Sequence, residues 1–188
     1  MIKIVKAPQS ILSQKAQTVS AKGGPASGWD KKILKIIEEM TTTLVRQANP
    51  KGVGLAAPQI GYSLRIFITK PYLKSPINIF INPEITWKSE ELTNGVPEND
   101  NPLEGCLSLP EIWGTVKRHA SVKLHYQTPD GKTHEKGFNG FPATIIQHEM
   151  DHLEGHLFSQ RVLEQKGKLY KTGKDKNGKE LLEEIEIP

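Results

Sequence analysis

The sequence predicts an α+β fold, with short antiparallel or mixed strands packed around a helix near the C-terminus. Three observations predict it. Apolar residues recur at helical spacing after Asp30, short β-rich runs punctuated by turn signals fill the centre, and a second helical pattern follows Phe141-Pro142. At 188 residues the chain is long enough for one domain with a real core and too short for two comfortable ones.

The opening residues read as extended and lead through Pro8, Ile11 and Leu12 into a turn-rich arm at Gly23, Gly24, Pro25 and Gly28. Asp30 suits a helix cap, and Ile33, Ile36, Ile37, Met40 and Leu44 form one apolar stripe behind it. The small residues from Lys51 to Gly61 allow a close backbone approach, but no Lys-Ser/Thr pair closes a phosphate loop. A tight strand edge lining a cleft, with Gln59 offering an amide, fits better. Leu64–Ile68 and Ile79–Ile81 read as short strands, and the polar stretch from Ser89 to Pro102 as a loop. Ser121–Tyr126 alternates like a half-buried strand, and Pro129-Asp130-Gly131 turns it into a hairpin running towards Glu135.

Composition excludes several function classes. A hydrophobic fraction of 36% and a charged fraction of 24% are ordinary for a globular protein, and no apolar run approaches a membrane span. The start of the chain lacks a secretion signal, and one cysteine rules out an internal disulfide, so a reducing, cytoplasmic setting is expected. Between Lys166 and Lys179 six lysines face the single acid Asp175, and four acids with no base follow from Glu180. A solvated, partly ordered tail over 166–188 is the favoured reading, with docking onto an anionic partner such as RNA the alternative. With Tyr170 its only aromatic residue, this stretch does not support nucleic-acid binding as the main role, and no specific DNA partner is expected.

Gln147-His148-Glu149-Met150-Asp151-His152 carries the chemistry. In a helix, His148 and His152 lie one turn apart on one face, so their imidazoles can meet at a divalent cation. Glu149, about 100° around the axis, reaches a metal-bound water more readily than it becomes a third ligand. Pro142 suits the first turn, and Gly155 a stop just past the last. Asp151 either orients a ligand histidine or is a solvated helix acid. Catalytic zinc-type sites take three protein ligands and leave one position open. Cys106, in Glu104-Gly105-Cys106-Leu107-Ser108-Leu109-Pro110, is either a small buried hydrophobe or that third ligand. The two-histidine helix shifts the balance towards the ligand, which makes the closing element a metal-binding helix.

Three segments together resemble the three motifs of peptide deformylase: Gly52-Val53-Gly54-Leu55-Ala56-Ala57-Pro58-Gln59, the cysteine segment, and Gln147 to Gly155. They stand in the family's order, and the resemblance covers residues 1–165 as a catalytic domain. It implies removal of the formyl group from the N-terminal formyl-methionine of newly made polypeptides. A metal-bound hydroxide would attack the formyl carbon, with Glu149 as general acid/base. Cys106, His148 and His152 match the metal ligands, with Fe2+ the usual cation and Zn2+, Ni2+ or Co2+ also found. Gln59 and the backbone N–H of Leu107 match the oxyanion donors, and Gly54 matches the position that pairs with an extended peptide. Glu104 and Arg118 match positions that the family pairs. Val53, Phe141 and Ile145 are walls for a methionine pocket or plain core. The implied partners are N-formylmethionyl nascent peptides, with a monomeric enzyme and a transient ribosome contact.

The segment also departs from the family pattern. Trp113 stands three places after the motif proline, where the family often carries a basic or aromatic residue, and the loop before Glu104 is somewhat long. The lysine-rich tail does not clearly resemble the helix that some bacterial members use on the ribosome. A metzincin-type endopeptidase would need histidine where Phe158 stands, and a thermolysin-like one a downstream glutamate ligand on a helix, which the short lysine-rich remainder does not offer. A non-catalytic metal module is disfavoured by the intact Glu149 and the open fourth position.

Overall fold

A computed structural model describes residues 2–20, 29–48, 51–95, 102–176 and 178–186. The glycine-rich arm expected at 23–28 lies outside them. The strands are β1 (Gly54–Ala56), β2 (Ile66–Thr69), β3 (Asn78–Lys88), β4 (Leu92–Asn94), β5 (Leu103–Cys106), β6 (Leu109–Thr115), β7 (Lys117–His119), β8 (Ser121–Gln127), β9 (Thr133–Asn139), β10 (Leu169–Lys174) and β11 (Glu180–Ile185). The α-helices are α1 (Lys31–Val45), α2 (Gly140–Leu153) and α3 (Phe158–Glu164).

A five-stranded antiparallel sheet runs β1-β2-β3-β8-β9, a four-stranded one β11-β10-β6-β5, and β4 pairs with β7. The expected α+β fold is present. Asp30 caps α1, its carboxylate accepting from the Lys32 N–H at 2.6 Å, and the stripe Ile33, Ile36, Ile37, Met40 and Leu44 is buried against β1 and β2. On the other side, Ala143, Ile146 and Leu153 of α2 bury against Phe67, Phe80, Val122 and Leu124. The site helix therefore lies on the sheet through a continuous apolar face. Burying a side chain of this size is worth about 1.5–3 kcal/mol, so the position of α2 is set by the core.

Four segments differ from the expectation. β3 runs past Pro83 to Lys88, because register shifts in its pairing with β8 absorb the proline and the left-handed Asn82. The expected loop at 89–102 contains β4, and its residues 96–101 lie outside the described set. The cysteine motif is the hairpin β5–β6 with an irregularity at Gly105/Cys106, a pairing that no apolar alternation announces. The lysine-rich segment forms the hairpin β10–β11, with Lys171 opposite Glu183 and Lys174 opposite Glu180. Leu169 anchors that hairpin among Phe158 and Val162 of α3.

The chain leaves α2 at Gly155, whose φ of +80° is left-handed and whose Cα faces the backbone of Ser13 and Gln14. A methyl group there would stand 2.8 Å from Ser13 C and 2.9 Å from Gln14 N. Replacing Gly155 with alanine is expected to lower the unfolding free energy by about 1–3 kcal/mol, read as a lower urea midpoint; an unchanged midpoint would contradict this packing.

Candidate active site and metal centre

α2 delivers His148 and His152 one turn apart, their ring centroids 5.0 Å from each other. The β5–β6 turn brings Cys106 against them, with Sγ 3.2 Å from His152 Nε2. One donor atom from each of the three residues lies within 4.8 Å of the others, and all three are buried. A tetrahedral cation with a sulfur at about 2.3 Å and a nitrogen at about 2.1 Å holds those donors about 3.6 Å apart. This S, N, N set therefore fits a divalent transition metal, with one position left over.

The surrounding charges prepare that set. Burial pushes the Cys106 thiol up, but His152 and His148 overcome it and hold the thiol well below its usual range. His148 Nδ1 lies 2.5 Å from Glu104 Oε1, so its Nε2 is the nitrogen available to a cation. Glu104 is buried, yet Arg118 and His148 bring its carboxyl down to about 2. Arg118 grips it with two bonds, Nη2 to Oε1 at 2.6 Å and Nε to Oε2 at 3.1 Å. The third arm of Arg118, Nη1, donates to Asp151 Oδ2 at 2.6 Å.

Asp151 corrects a sequence expectation. It is neither a solvated acid nor the partner of a ligand histidine, because Arg118 takes one oxygen and Arg161 takes the other at 2.8 and 3.0 Å. The residue that orients the imidazole is Glu104, and Asp151 acts two bonds further back. Arg161, on α3, was missed because nothing in the sequence links it to a motif ten residues earlier.

Around the donors lies a pocket of about 190 Å³. Val53, Gly54, Gln59, Leu107, Phe141, Ile145 and Glu149 all line it, so every expected wall and polar group is present. Trp113, Leu103 and Thr144 line it too. Gly54 sits hard against α2: a methyl group there would stand 2.2 Å from Glu149 Oε1 and 2.9 Å from Ile145 Cγ2. Burial pushes the Glu149 carboxyl up to about 7, only partly offset by the two imidazoles, and its Oε2 has no hydrogen-bond partner among the described residues. The Ala56 N–H fixes Gln59 Oε1 at 2.8 Å, turning the amide nitrogen towards Ser108 Oγ at 3.2 Å and Cys106 Sγ at 3.6 Å. The N-terminal segment closes this corner, Val5 N donating to Gln59 O and Ala7 N to Ser108 O.

The polypeptide deformylase family profile matches residues 1–168. The chain belongs to the peptide deformylase family. It is therefore a metal-dependent hydrolase that removes the formyl group from the N-terminal formyl-methionine of newly made polypeptides. Peptide deformylase of Pseudothermotoga lettingae is 39% identical over 144 residues, covering 72% of this chain and 77% of that protein. Peptide deformylase 1 of Bacillus subtilis is 36% identical over 160 residues, covering 85% and 89%. The Met-Ala-Ser-bound crystal structure of the class I type b peptide deformylase from Acinetobacter baumannii overlays with a TM-score of 0.73 at 34% identity, covering 86% of this chain and 98% of that one.

Arg118 supplies the guanidinium that neutralises the buried Glu104, so Arg118→Met should leave that carboxylate with His148 alone, while Asp151 keeps Arg161. The expected cost is about 3–5 kcal/mol, measured by urea unfolding of metal-free protein. A loss under about 1 kcal/mol, the range of exposed ion pairs, would mean that the network is not doing this job.

Proposed function

We propose that Cys106, His148 and His152 would hold the divalent cation that deformylation requires, with Glu149 moving the proton and Gln59 with the Leu107 N–H receiving the oxyanion. The observation that carries this reading is the convergence of three donor atoms within 4.8 Å beside a buried carboxylate, one of whose oxygens has no partner among the described residues. The bound cation supplies Lewis acidity, lowering the pKa of water and polarising the formyl oxygen. Every other step belongs to side chains of this protein. Glu149, held by burial near neutrality, can take a proton from the attacking water and return it to the departing amine. The Gln59 amide, fixed by the Ala56 N–H, turns its nitrogen towards Cys106 Sγ, from where it would donate to an oxyanion formed beside the donors. Such a donor is worth about 2.7–4 kcal/mol in the transition state.

Substrate binding follows from the same pocket. Val53, Phe141 and Ile145 offer apolar walls to a methionine side chain, and the bare backbone at Gly54 lets an extended peptide lie beside β1. Met-Ala-Ser, bound by the Acinetobacter protein, has the form of a deformylated N-terminus. One divalent cation per chain is proposed. A thiolate with two imidazoles suits iron, zinc, nickel or cobalt better than magnesium or calcium. Fe2+ as the working metal in the cell rests on the family resemblance.

Residues 1–165 are taken as the catalytic domain and 166–188 as an appended segment, in a monomer acting on nascent chains in the cytoplasm. No helix among the described residues is long and apolar enough to cross a membrane. Ribosome contact draws little support from the appended hairpin, where Lys171 and Lys174 stand opposite Glu183 and Glu180.

Protein loaded anaerobically with Fe2+ is expected to release formate from formyl-Met-Ala-Ser. Glu149→Ala should keep the metal and lose about a hundredfold to ten-thousandfold in kcat. Cys106→Ser should lose most of both metal and turnover. Full activity in Cys106→Ala, or casein cleavage without formate release, would refute the assignment.

A further inference from the structure

The family match ends at residue 168, and β10 begins at Leu169. The hairpin β10–β11 nevertheless reaches the active site. β10 pairs with β6 so that Tyr170 stands opposite Trp113, and the Trp113 indole N–H donates to Thr172 Oγ1 at 2.9 Å. Trp113 is also a wall of the pocket that holds Cys106, His148 and Glu149. Its ring covers Gly105, where a methyl group would stand 2.7 and 2.8 Å from two ring carbons.

The pairing puts Gly105, Trp113 and Tyr170 side by side on one face of the sheet, and Thr172, two residues further along β10, shares that face. Leu169, on the other face, joins Phe158 and Val162. The hairpin is thus anchored by one face and fixes an indole at the pocket rim with the other. The second torsion of a tryptophan side chain is broad, with roughly two favoured ring orientations. A single hydrogen bond at the ring nitrogen is enough to select one of them. The choice matters at this rim because a peptide whose methionine fills the apolar pocket must carry its following residues out past the walls. An indole held in place offers them a rigid apolar surface with little ordering cost.

We propose that Thr172 is a positioning residue: by holding the Trp113 indole it shapes the surface that receives the substrate residues after formyl-methionine, so the C-terminal hairpin sets the gain from longer peptides. The proposal rests on the deformylation site described above. It separates from a purely structural role of the hairpin, because a structural defect weakens action on all substrates alike.

The test compares kcat and KM for formyl-Met-amide and formyl-Met-Ala-Ser on the full, Fe2+-loaded chain. For Thr172→Val, KM for the tripeptide should rise about two- to tenfold, the loss of one net hydrogen bond, with kcat and the short-substrate constants within about twofold. Thr172→Ser, which keeps the hydroxyl, should restore the tripeptide KM. Equal effects on both substrates, an unchanged tripeptide KM in Thr172→Val, or failure of serine to restore it would overturn the proposal. Absence of formate from both substrates with unsubstituted protein would overturn the deformylation site along with it.

Discussion

The structure depends on a chain of charges that runs from the half-exposed Arg161 through the buried Asp151, Arg118 and Glu104 to His148. It joins α3, α2, β7 and β5, and its last member, His148, belongs to the cluster with Cys106 and His152. Arg118 and Glu104 are 5% and 7% exposed, so neither charge can be left to water. Ion pairs this deep are weak evidence for stability, because the desolvation of each partner consumes most of their attraction. Their service here is geometric. Glu104 fixes the His148 ring and its tautomer, Arg118 fixes Glu104 with two bonds, and Asp151 fixes Arg118. The cysteine hairpin and the histidine helix are thereby held in one register.

The apolar packing complements that chain. α2 carries Ala143, Ile146 and Leu153 on the face that meets the five-stranded sheet, and Phe141, Ile145, His148 and Glu149 on the face that meets the pocket. The core sets where the helix lies, and the ionic chain sets which way one imidazole points. Gly54 admits β1 to within contact of Glu149, so that carboxylate and the strand share a space that any side chain at that position would fill.

What could be read from the sequence followed the range of the interactions. α1 was legible because its cap and apolar stripe are local, and so was the His-Glu-x-x-His helix, whose spacing is itself the site. Cys106 was legible only jointly with that helix, since a lone cysteine carries no pattern of its own. Asp151 was left open between two readings, neither naming its partners, because Arg118 and Arg161 come from β7 and α3 and no spacing rule relates them. β3 was cut short at Pro83 because a bulge that tolerates proline leaves no sign in the alternation. The C-terminal hairpin went unread for a similar reason: its strands are held by backbone pairing and anchored by Leu169, and no amphipathic pattern announces them.

The central claim is that one sulfur from the β5–β6 turn and two imidazole nitrogens from α2 share a cation. X-ray absorption at the metal edge of the zinc-loaded protein tests it most directly. The account predicts one sulfur scatterer at about 2.3 Å together with nitrogen or oxygen scatterers at about 2.0–2.1 Å. A first shell with no sulfur, in protein whose Cys106 is reduced and intact, would contradict it.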